Sequence, residues 1–291
     1  MGAALSGAAS AAAPFFKRHG LPIGIQLYTV GPDAAKDLDG TLRALARTGY
    51  RTVESAGFYG KTAAQFRAAL DAAGVACPSA HIQGRGGADS FSGDLGKLAD
   101  DLKTIGVKTA VMPSPYIPDR LQGKGLRETL TQLTADDFKM NADFLNAKAA
   151  GLKSAGIKVG YHNHNFELAP LGSTNGLEIL LKNTDPALVT FEMDLGWVAA
   201  AGRDPAALLK AHKGRFTLVH IKDLKASTKP NFELTMDPTE IGAGSLDWKA
   251  ILATAYATGV RGFFVEQEAP FAHPRLEAAQ LDHDFLAGLV A

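Results

Sequence analysis

Cysteine is almost absent from this sequence. The 291 residues contain only one, Cys77, and a single thiol cannot form an intramolecular disulfide or a cysteine-rich metal site. Because Cys77 lies in a short apolar run, we expect its side chain to be buried and unreactive. Without covalent cross-links the fold must depend on a hydrophobic core, and a chain of this length can bury a large one.

The sequence also lacks an excess of either charge. It contains 30 Lys and Arg residues and 30 Asp and Glu residues, so its formal net charge is zero. The basic residues are scattered, with no run of five or more, and this pattern does not favour binding to a nucleic acid backbone. Beyond the N-terminal segment, no stretch is long and apolar enough to span a membrane. We therefore expect no nucleic acid and no membrane as partner, whereas a homo-oligomer remains open.

The N-terminal segment is rich in alanine. The small, weakly apolar run from Ala3 to Ala13, followed by Pro14, resembles the end of a secretory signal peptide, although the usual positively charged start is missing. An alanine-rich leader with no targeting role is the alternative. We therefore predict a leader over residues 1–22, with a periplasmic location if it is the remnant of a signal and a cytoplasmic one otherwise.

From Gly24 onward, short β-rich runs alternate with amphipathic helical runs. In the first helical run Leu38, Leu42 and Leu45 recur three or four residues apart, which is the spacing of one helix face. Glycine follows most of these runs, as expected for a residue that accepts the left-handed conformation after a helix. The predicted strands span residues 24–29, 51–55, 76–82, 108–112, 158–164, 189–193, 216–221 and 262–266.

Eight alternating β and α units predict a parallel sheet, because parallel neighbours need crossover connections. The sequence favours closure into a single (β/α)₈ TIM barrel over residues 23–291, which is an ordinary length for that fold. A doubly wound open sheet is the alternative, but residues 29–33 after the first strand lack its glycine-rich phosphate turn. The long irregular stretches 83–92, 113–134 and 225–244 all follow strands and should lie over the C-terminal mouth of the barrel.

Ionisable residues gather where the predicted strands end, which is where this fold builds its active sites. They are Glu54, His81, His162, His164, Glu167, Asp194, His220, Lys222, Glu266 and Glu268. Carboxylates combined with one or two imidazoles suit one divalent metal ion, such as Mn²⁺, Mg²⁺, Co²⁺ or Zn²⁺. The structural alternative is that Asp194 and Glu266 only form ion pairs with Lys222 or with arginines.

Several of these residues stand in segments that resemble the xylose isomerase-like barrel superfamily, in the branch of sugar phosphate isomerases and epimerases. The resemblance covers the chain from Gly24 to its C-terminal end. The segments are Tyr-His-Asn-His-Asn-Phe-Glu (161–167), Phe-Glu-Met-Asp-Leu-Gly-Trp (191–197), Val-His-Ile-Lys-Asp (219–223), Ile-Gly-Ala-Gly-Ser-Leu-Asp-Trp (241–248) and Val-Glu-Gln-Glu (265–268).

The resemblance implies a metal ion held by one residue from each of strands five to eight. Asp194, His220 and Glu266 match three of these positions. For the fourth we prefer Glu167, five residues beyond the strand-aligned position, and keep His162 as the alternative. Proton removal next to a carbonyl creates an enediolate, whose negative charge a cation stabilises. Glu167 or Glu266 would then move the proton, with His162 and His164 as further catalytic residues.

These expectations lead to a metal-dependent sugar isomerase or epimerase. The alternative is a lyase or dehydratase acting on a 3-keto-glycoside or an inosose through the same site, and the small-molecule partner is then a keto-sugar. Two remote alternatives are a non-catalytic sugar-binding barrel and a metal-dependent endonuclease, whose branch of the superfamily has a histidine where this chain has Trp197. The residues expected to contact the substrate are His81, Lys222, Glu54 and Trp197.

Overall fold

Eight parallel strands close into a barrel in the computed structural model, which describes residues 13–291. The first strand pairs with the second and with the last, so Gly24 lies opposite both Thr52 and Phe264. This closure confirms the predicted (β/α)₈ barrel. The strands are β1 Gly24–Gln26, β2 Thr52–Ser55, β3 Ala76–His81, β4 Thr109–Met112, β5 Lys158–His162, β6 Val189–Asp194, β7 Phe216–Ile221 and β8 Gly262–Val265.

Helices surround the barrel and alternate with its strands, as the repeated pattern of the sequence predicted. Four shorter helices were not predicted, since five or six residues are too few to show a helical period. The helices are α1 Phe15–His19, α2 Gly31–Lys36, α3 Leu38–Thr48, α4 Ala63–Ala73, α5 Leu95–Ile105, α6 Leu126–Thr131, α7 Ala135–Leu152, α8 Gly176–Asn183, α9 Leu195–Ala200, α10 Pro205–Ala211, α11 Trp248–Thr258 and α12 Arg275–Gly288.

Local hydrogen bonds fix where the helices start, and one of them involves a candidate site residue. Thr62 and Gln65 form a reciprocal capping box at the start of α4, which satisfies two backbone N–H groups that would otherwise have no partner. Asp194 lies at the junction of β6 and α9, where its Oδ1 accepts a hydrogen bond from the backbone N–H of Trp197 at 2.8 Å. Capping α9 leaves the second carboxylate oxygen of Asp194 for other contacts.

Asp223 organises the Ile241–Trp248 segment. Its Oδ2 accepts hydrogen bonds from the backbone N–H of Gly242 at 2.9 Å and from the indole N–H of Trp248 at 2.7 Å. A Cβ atom at Gly244 would lie 2.0 Å from Asp223 Oδ1, so only glycine fits there. Gly242 and Gly244 therefore allow this segment to pack against Asp223, just beyond the end of β7.

The hydrophobic core extends from the barrel wall to the helix α1 at the chain's beginning. Phe15 and Phe16 are buried, and their rings contact Phe263 of β8 edge to face. The backbone N–H of Phe15 donates to the carbonyl oxygen of Leu289 at 2.7 Å. Residues 15–19, which lie within the segment 1–22 predicted as a leader, thus pack against the barrel. Residues 1–12 of that segment lie outside the described residues, and the leader stays a prediction.

The structure bears on the single cysteine and on the expected absence of a membrane-spanning segment. Cys77 is buried in β3, and burial raises the pKa of its thiol to about 12, which suppresses the reactive thiolate. Over residues 13–291, none of the helices combines the length and the hydrophobicity required to cross a bilayer.

Asp282 of α12 is a buried carboxyl far along the chain from the strand-end residues. Its Oδ1 accepts a hydrogen bond from the backbone N–H of Ile241 at 2.7 Å, and its Oδ2 has no hydrogen-bond partner among the described residues. Burial, followed by the nearby carboxylates of Glu240 and Asp223, raises its pKa from the ordinary 3.8 to about 7. The folded chain therefore holds this proton more tightly than the unfolded chain does.

A raised carboxyl pKa makes the folded state less stable as the pH rises. We expect Asp282→Asn, which keeps the acceptor for Ile241, to increase the free energy of unfolding by up to roughly 4 kcal/mol at pH 8. The gain should grow between about pH 4 and about pH 7 and then level off. Urea unfolding of both proteins across this range measures it. Asp284→Asn, an exposed change on the same helix, is the control, and a gain independent of pH would contradict the argument.

Candidate metal centre

Four residues from consecutive strand ends meet at the C-terminal mouth of the barrel. His162 ends β5, Asp194 ends β6, His220 lies in β7 and Glu266 directly follows β8. All four are buried, and one donor atom of each lies within 4.8 Å of the others. We call them the strand-end group. Parallel strands bring these positions together because their carboxyl ends all lie at one end of the barrel.

The contacts within the strand-end group are direct. His220 Nδ1 lies 2.9 Å from Glu266 Oε2 and 3.9 Å from Asp194 Oδ2. His162 Nε2 lies 3.8 Å from the same Asp194 oxygen. Two carboxylates and two imidazoles are a donor set that fits a divalent cation, and the two negative charges match its charge. The group could therefore hold a metal ion, and the donor types do not decide which one.

A second set of residues lies against the first and shares two histidines with it. His81, His162, Glu192 and His220 also bring donor atoms within 4.8 Å of one another, and we call them the Glu192 group. Glu192 Oε2 lies 2.9 Å from His81 Nε2, 3.2 Å from His162 Nδ1 and 3.1 Å from His220 Nε2. Glu192 is fully buried, and a single carboxylate oxygen thus faces three imidazoles.

Our reading of the sequence had missed Glu192. It precedes Asp194 by two residues in β6, and residues two apart on a strand point to the same side. Alternation from Asp194 would have placed Glu192 inside the barrel. A glutamate inside a barrel interior needs partners, which the three imidazoles supply.

Glu54 was expected to contact the substrate, but the structure places it among the histidines. Its Oε1 lies 3.1 Å from His81 Nε2 and 3.4 Å from His220 Nε2, and the side chain has no exposure. His81, also expected to contact the substrate, does face the cavity above the site. Glu54 therefore contacts the histidines from inside the barrel, because its carboxylate is fully buried and does not reach the cavity.

Lys222 and Trp197 also differ from the expected role of substrate contacts. Lys222 is buried, and its Nζ lies 2.8 Å from Asp194 Oδ2, 2.8 Å from Glu266 Oε2 and 2.6 Å from Glu268 Oε1. The Trp197 indole N–H donates to the same Glu268 oxygen at 3.2 Å, and its ring centroid is 5.0 Å from Lys222 Nζ. Neither residue lines the cavity. Lys222 holds the three carboxylates in place, because a buried ammonium needs opposite charges around it. Trp197 holds Glu268 through its indole hydrogen bond.

Burial and neighbouring charges set the protonation of this cluster. Burial lowers the pKa of His162 and His164 well below 6.5, and neighbouring imidazoles lower it further, so both are neutral at pH 7. For His81, burial acts in the same direction, but the carboxylates of Glu54 and Glu192 outweigh it and raise its pKa to about 9. The cavity floor thus combines a neutral imidazole with a protonated one.

Glu167, our preferred fourth ligand and a candidate proton carrier, belongs to neither group. The chain turns in a short 3₁₀ segment, Phe166–Leu168, directly after the strand-five turn. This turn points Glu167 back at β5, where its Oε1 accepts from the Tyr161 hydroxyl at 2.7 Å and its Oε2 from the backbone N–H of His164 at 2.9 Å. Burial raises its pKa to about 8. The alternative, His162, occupies the strand-five position instead.

A cavity of about 660 Å³ opens above the strand-end group. Its floor is polar and its walls are largely apolar, and the long loops over residues 83–92, 113–134 and 225–244 contribute to it as predicted. The polar residues include His81, His162, His164, Glu266 and Glu268, and the apolar ones include Tyr28, Phe58, Leu126, Leu130, Phe166 and Leu234. Tyr28 and Leu126 are more than half exposed, at 56% and 64%.

Asn165 connects two walls of this cavity. Its Nδ2 donates to Asn231 Oδ1 at 2.9 Å and to the Asn231 carbonyl oxygen at 3.1 Å, while its Oδ1 accepts from the backbone N–H of Leu234 at 3.1 Å. Asn165 is fully buried. Arg127 of α6 reaches the same loop through Glu233, at 2.8 Å. The loop after β7 is therefore held from two sides.

Comparison with known proteins gives consistent results. The family model described as xylose isomerase-like TIM barrel matches residues 42–289. The inosose dehydratase of Lactiplantibacillus plantarum is 28% identical over 216 residues, which is 69% of this chain and 71% of the relative. That of Geobacillus kaustophilus is 24% identical over 264 residues, 81% and 82% of the two chains. The crystal structure of a sugar phosphate isomerase/epimerase from Parabacteroides distasonis is 25% identical, with a TM-score of 0.70 over 98% of each chain.

Proposed function

This chain belongs to the xylose isomerase-like TIM barrel family, and from that membership we propose that it is a metal-dependent carbon–oxygen lyase acting on a keto-sugar or keto-cyclitol. The observation that carries the proposal is the strand-end group, two buried carboxylates and two buried imidazoles beneath a cavity with a polar floor. The inosose dehydratases among its relatives favour a lyase over other outcomes of the same chemistry.

The residues that hold the metal in this proposal are His162, Asp194, His220 and Glu266. Their donor types suit a divalent ion, and one donor atom of each lies within 4.8 Å of the others. When bound, such an ion supplies a Lewis acid for carbonyl chemistry. Lys222 lies against Asp194 and Glu266, so in this proposal its charge orients the two carboxylates.

His164 is the proton acceptor in the proposed reaction. It lines the cavity, and its backbone is fixed by Glu167. The neutral ring accepts the proton from the carbon next to the carbonyl, the electron pair of that C–H bond forms a C=C bond to the carbonyl carbon, and the π pair of the carbonyl moves to its oxygen. When the carbonyl re-forms, the C=C bond shifts to the next carbon, whose C–O bond breaks and leaves its electron pair on the departing oxygen. His81, which lines the same cavity and is protonated, supplies the proton that the departing oxygen takes up.

The cavity supports a substrate with a polar and an apolar side. Its volume of about 660 Å³ lies within the range of pockets that take drug-sized ligands. Hydroxyl groups can pair with Glu268 and His81 at the floor, while Tyr28 and Phe58 offer ring faces to the C–H face of a sugar. A keto-glycoside uses both parts of the cavity, and a free monosaccharide fills less of it.

An isomerase or epimerase is the second candidate. The Parabacteroides distasonis structure favours it, because this chain matches that structure along nearly its whole length. Proton removal is the same in both reactions. In the isomerase His164 returns the proton to the same or the neighbouring carbon, and no bond to oxygen breaks.

The test is a screen for proton exchange with solvent. The metal-loaded protein, with its metal content verified, is incubated in deuterium oxide with inososes, 3-keto-glycosides and aldoses, with and without a chelator. A lyase gives an unsaturated product, an epimerase gives a deuterated epimer, and both reactions stop when the metal is removed. Absence of exchange from every compound, or turnover unchanged by verified metal removal, contradicts the proposal.

The fourth ligand can be tested by metal content alone. We expect His162→Ala to lower the metal affinity by at least about tenfold, since it removes one donor from a four-donor site. Glu167→Gln, which preserves the shape and an acceptor for Tyr161, should retain its metal. Competition with a chromogenic chelator measures both affinities. Loss of metal in Glu167→Gln, with His162→Ala still loaded, would restore Glu167 as the ligand.

A further inference from the structure

The two groups at the barrel mouth share His162 and His220, and each shared ring has one nitrogen toward each group. His162 Nδ1 lies 3.2 Å from Glu192 Oε2, while its Nε2 lies 3.8 Å from Asp194 Oδ2. The ring therefore lies between the two carboxylates, with a different nitrogen facing each.

His220 is oriented in the opposite sense but has the same division. Its Nε2 lies 3.1 Å from Glu192 Oε2, and its Nδ1 lies 2.9 Å from Glu266 Oε2. One glutamate oxygen thus receives the Nδ1 side of one ring and the Nε2 side of the other. This relation follows from where the two strands present their rings, since β5 and β7 lie on either side of β6.

An imidazole nitrogen binds a cation through its lone pair, so the other nitrogen must carry the ring proton. Inside a protein that N–H needs an acceptor, and the acceptor decides which tautomer is present. Glu192 Oε2 is such an acceptor for His162 Nδ1 at 3.2 Å and for His81 Nε2 at 2.9 Å. It also lies 3.1 Å from His220 Nε2, which forms its hydrogen bond with Glu54 Oε1 at 3.4 Å. Asp194 and Glu266 then face the nitrogens that are free to bind.

We propose that Glu192 is a positioning residue that holds the ring proton on His162 Nδ1 and, together with Glu54, the ring proton on His220 Nε2, and thereby leaves His162 Nε2 and His220 Nδ1 for the metal. The inference rests on the proposed metal site and concerns a residue outside its four ligands. It also determines which of the two groups binds the metal ion. The Glu192 group cannot hold an ion at the same time, because its two shared nitrogens carry protons, so the chain binds one ion.

The carboxylate is required because the arrangement needs an acceptor without a donor. A carboxylate accepts at both oxygens, whereas an amide places an NH₂ group at one of the two positions. In Glu192→Gln an amide donor or a single neutral acceptor would face three ring nitrogens. The first orientation opposes the His162 tautomer that Glu192 selects, and the second weakens the preference because a neutral carbonyl oxygen is a poorer acceptor than a carboxylate.

The experiment compares wild type with Glu192→Gln in metal affinity and in histidine tautomer. We expect the affinity for Co²⁺ or Zn²⁺ to fall about 10- to 100-fold, measured by competition with a chromogenic chelator. In long-range ¹H–¹⁵N spectra of histidine-labelled protein, wild-type His162 should carry its proton on Nδ1, and the variant should lose this preference. Asp282→Asn, which neutralises a buried carboxyl of α12, is the matched control and should change neither result.

Three outcomes overturn the inference: unchanged affinity in a folded Glu192→Gln protein, wild-type His162 protonated on Nε2, or two tightly bound ions per chain. The second measurement uses only wild-type protein, so the inference can be overturned even if the variant does not fold. If Asp194→Ala and Glu266→Ala both keep their metal, the proposed site itself has failed. If they lose it while Glu192→Gln binds as wild type does, only the role of Glu192 is refuted.

Discussion

Replacing Asp194 with alanine is expected to remove the bound metal and to lower turnover roughly 10³-fold or more, because a Lewis acid contributes several kcal/mol to this class of reaction. Asp194 Oδ2 lies within 4 Å of Lys222, His162 and His220. Its removal therefore takes away a ligand and one of the three negative charges around the buried ammonium of Lys222. Metal analysis after gel filtration and steady-state rates on the substrate found by the exchange screen measure the two effects.

The change also removes a helix cap, which has to be separated from the loss of metal. Asp204 caps α10 in the same way that Asp194 caps α9, with Oδ1 accepting from the backbone N–H of Ala206 at 2.8 Å. Asp204→Ala should lose about 1 kcal/mol of stability through its missing cap and keep both metal and turnover. Full metal content together with full activity in Asp194→Ala would remove the strand-end group from the mechanism.

The second large effect is expected at His164. His164→Ala should lower turnover by roughly 10²–10⁴, the usual contribution of a positioned acid or base, and should keep its metal. Turnover should fall because His164 lines the cavity, and the metal should stay because His164 belongs to neither the strand-end group nor the Glu192 group. Separate measurement of kcat, KM and metal content distinguishes loss of proton transfer from loss of the ion.

His212→Ala is the control for this prediction. His212 lies on the flank of the barrel, where its Nε2 is 2.9 Å from Glu178 Oε1, and its loss should leave kcat unchanged. Wild-type turnover in His164→Ala would assign the proton to another group at the cavity floor. Glu268, which also lines the cavity, would then be the next residue to replace.

The barrel could be predicted because its signals are periodic and repeated. Leu38, Leu42 and Leu45 recur on one face of α3, and all three are buried against the core. Strand ends could be located in the same way, and the structure brings His162, Asp194, His220 and Glu266 together as parallel strands require. A periodic pattern fixes which face of an element is buried, so these predictions needed no knowledge of distant contacts.

The remaining parts of the site depend on geometry that periodicity does not describe. Glu167 lies beyond the end of β5, where the backbone leaves the extended form and turns, so strand alternation could not give its direction. Lys222 follows β7 in the same way and is drawn inward by three carboxylates from other segments. Glu192 is the opposite case, since alternation along β6 was sufficient and we did not apply it.

Asn165 has a consequence for how the substrate range of this fold can change. Its amide is buried in the turn after β5 and forms hydrogen bonds with Asn231 and Leu234. Replacing residues 225–244 by a loop of different sequence would leave the donor and acceptor of Asn165 without partners. Each buried group left unpaired lowers the stability of the fold by about 1–3 kcal/mol. The two segments are therefore one unit for selection and for loop grafting: a new loop after β7 is tolerated only together with a matching residue at position 165.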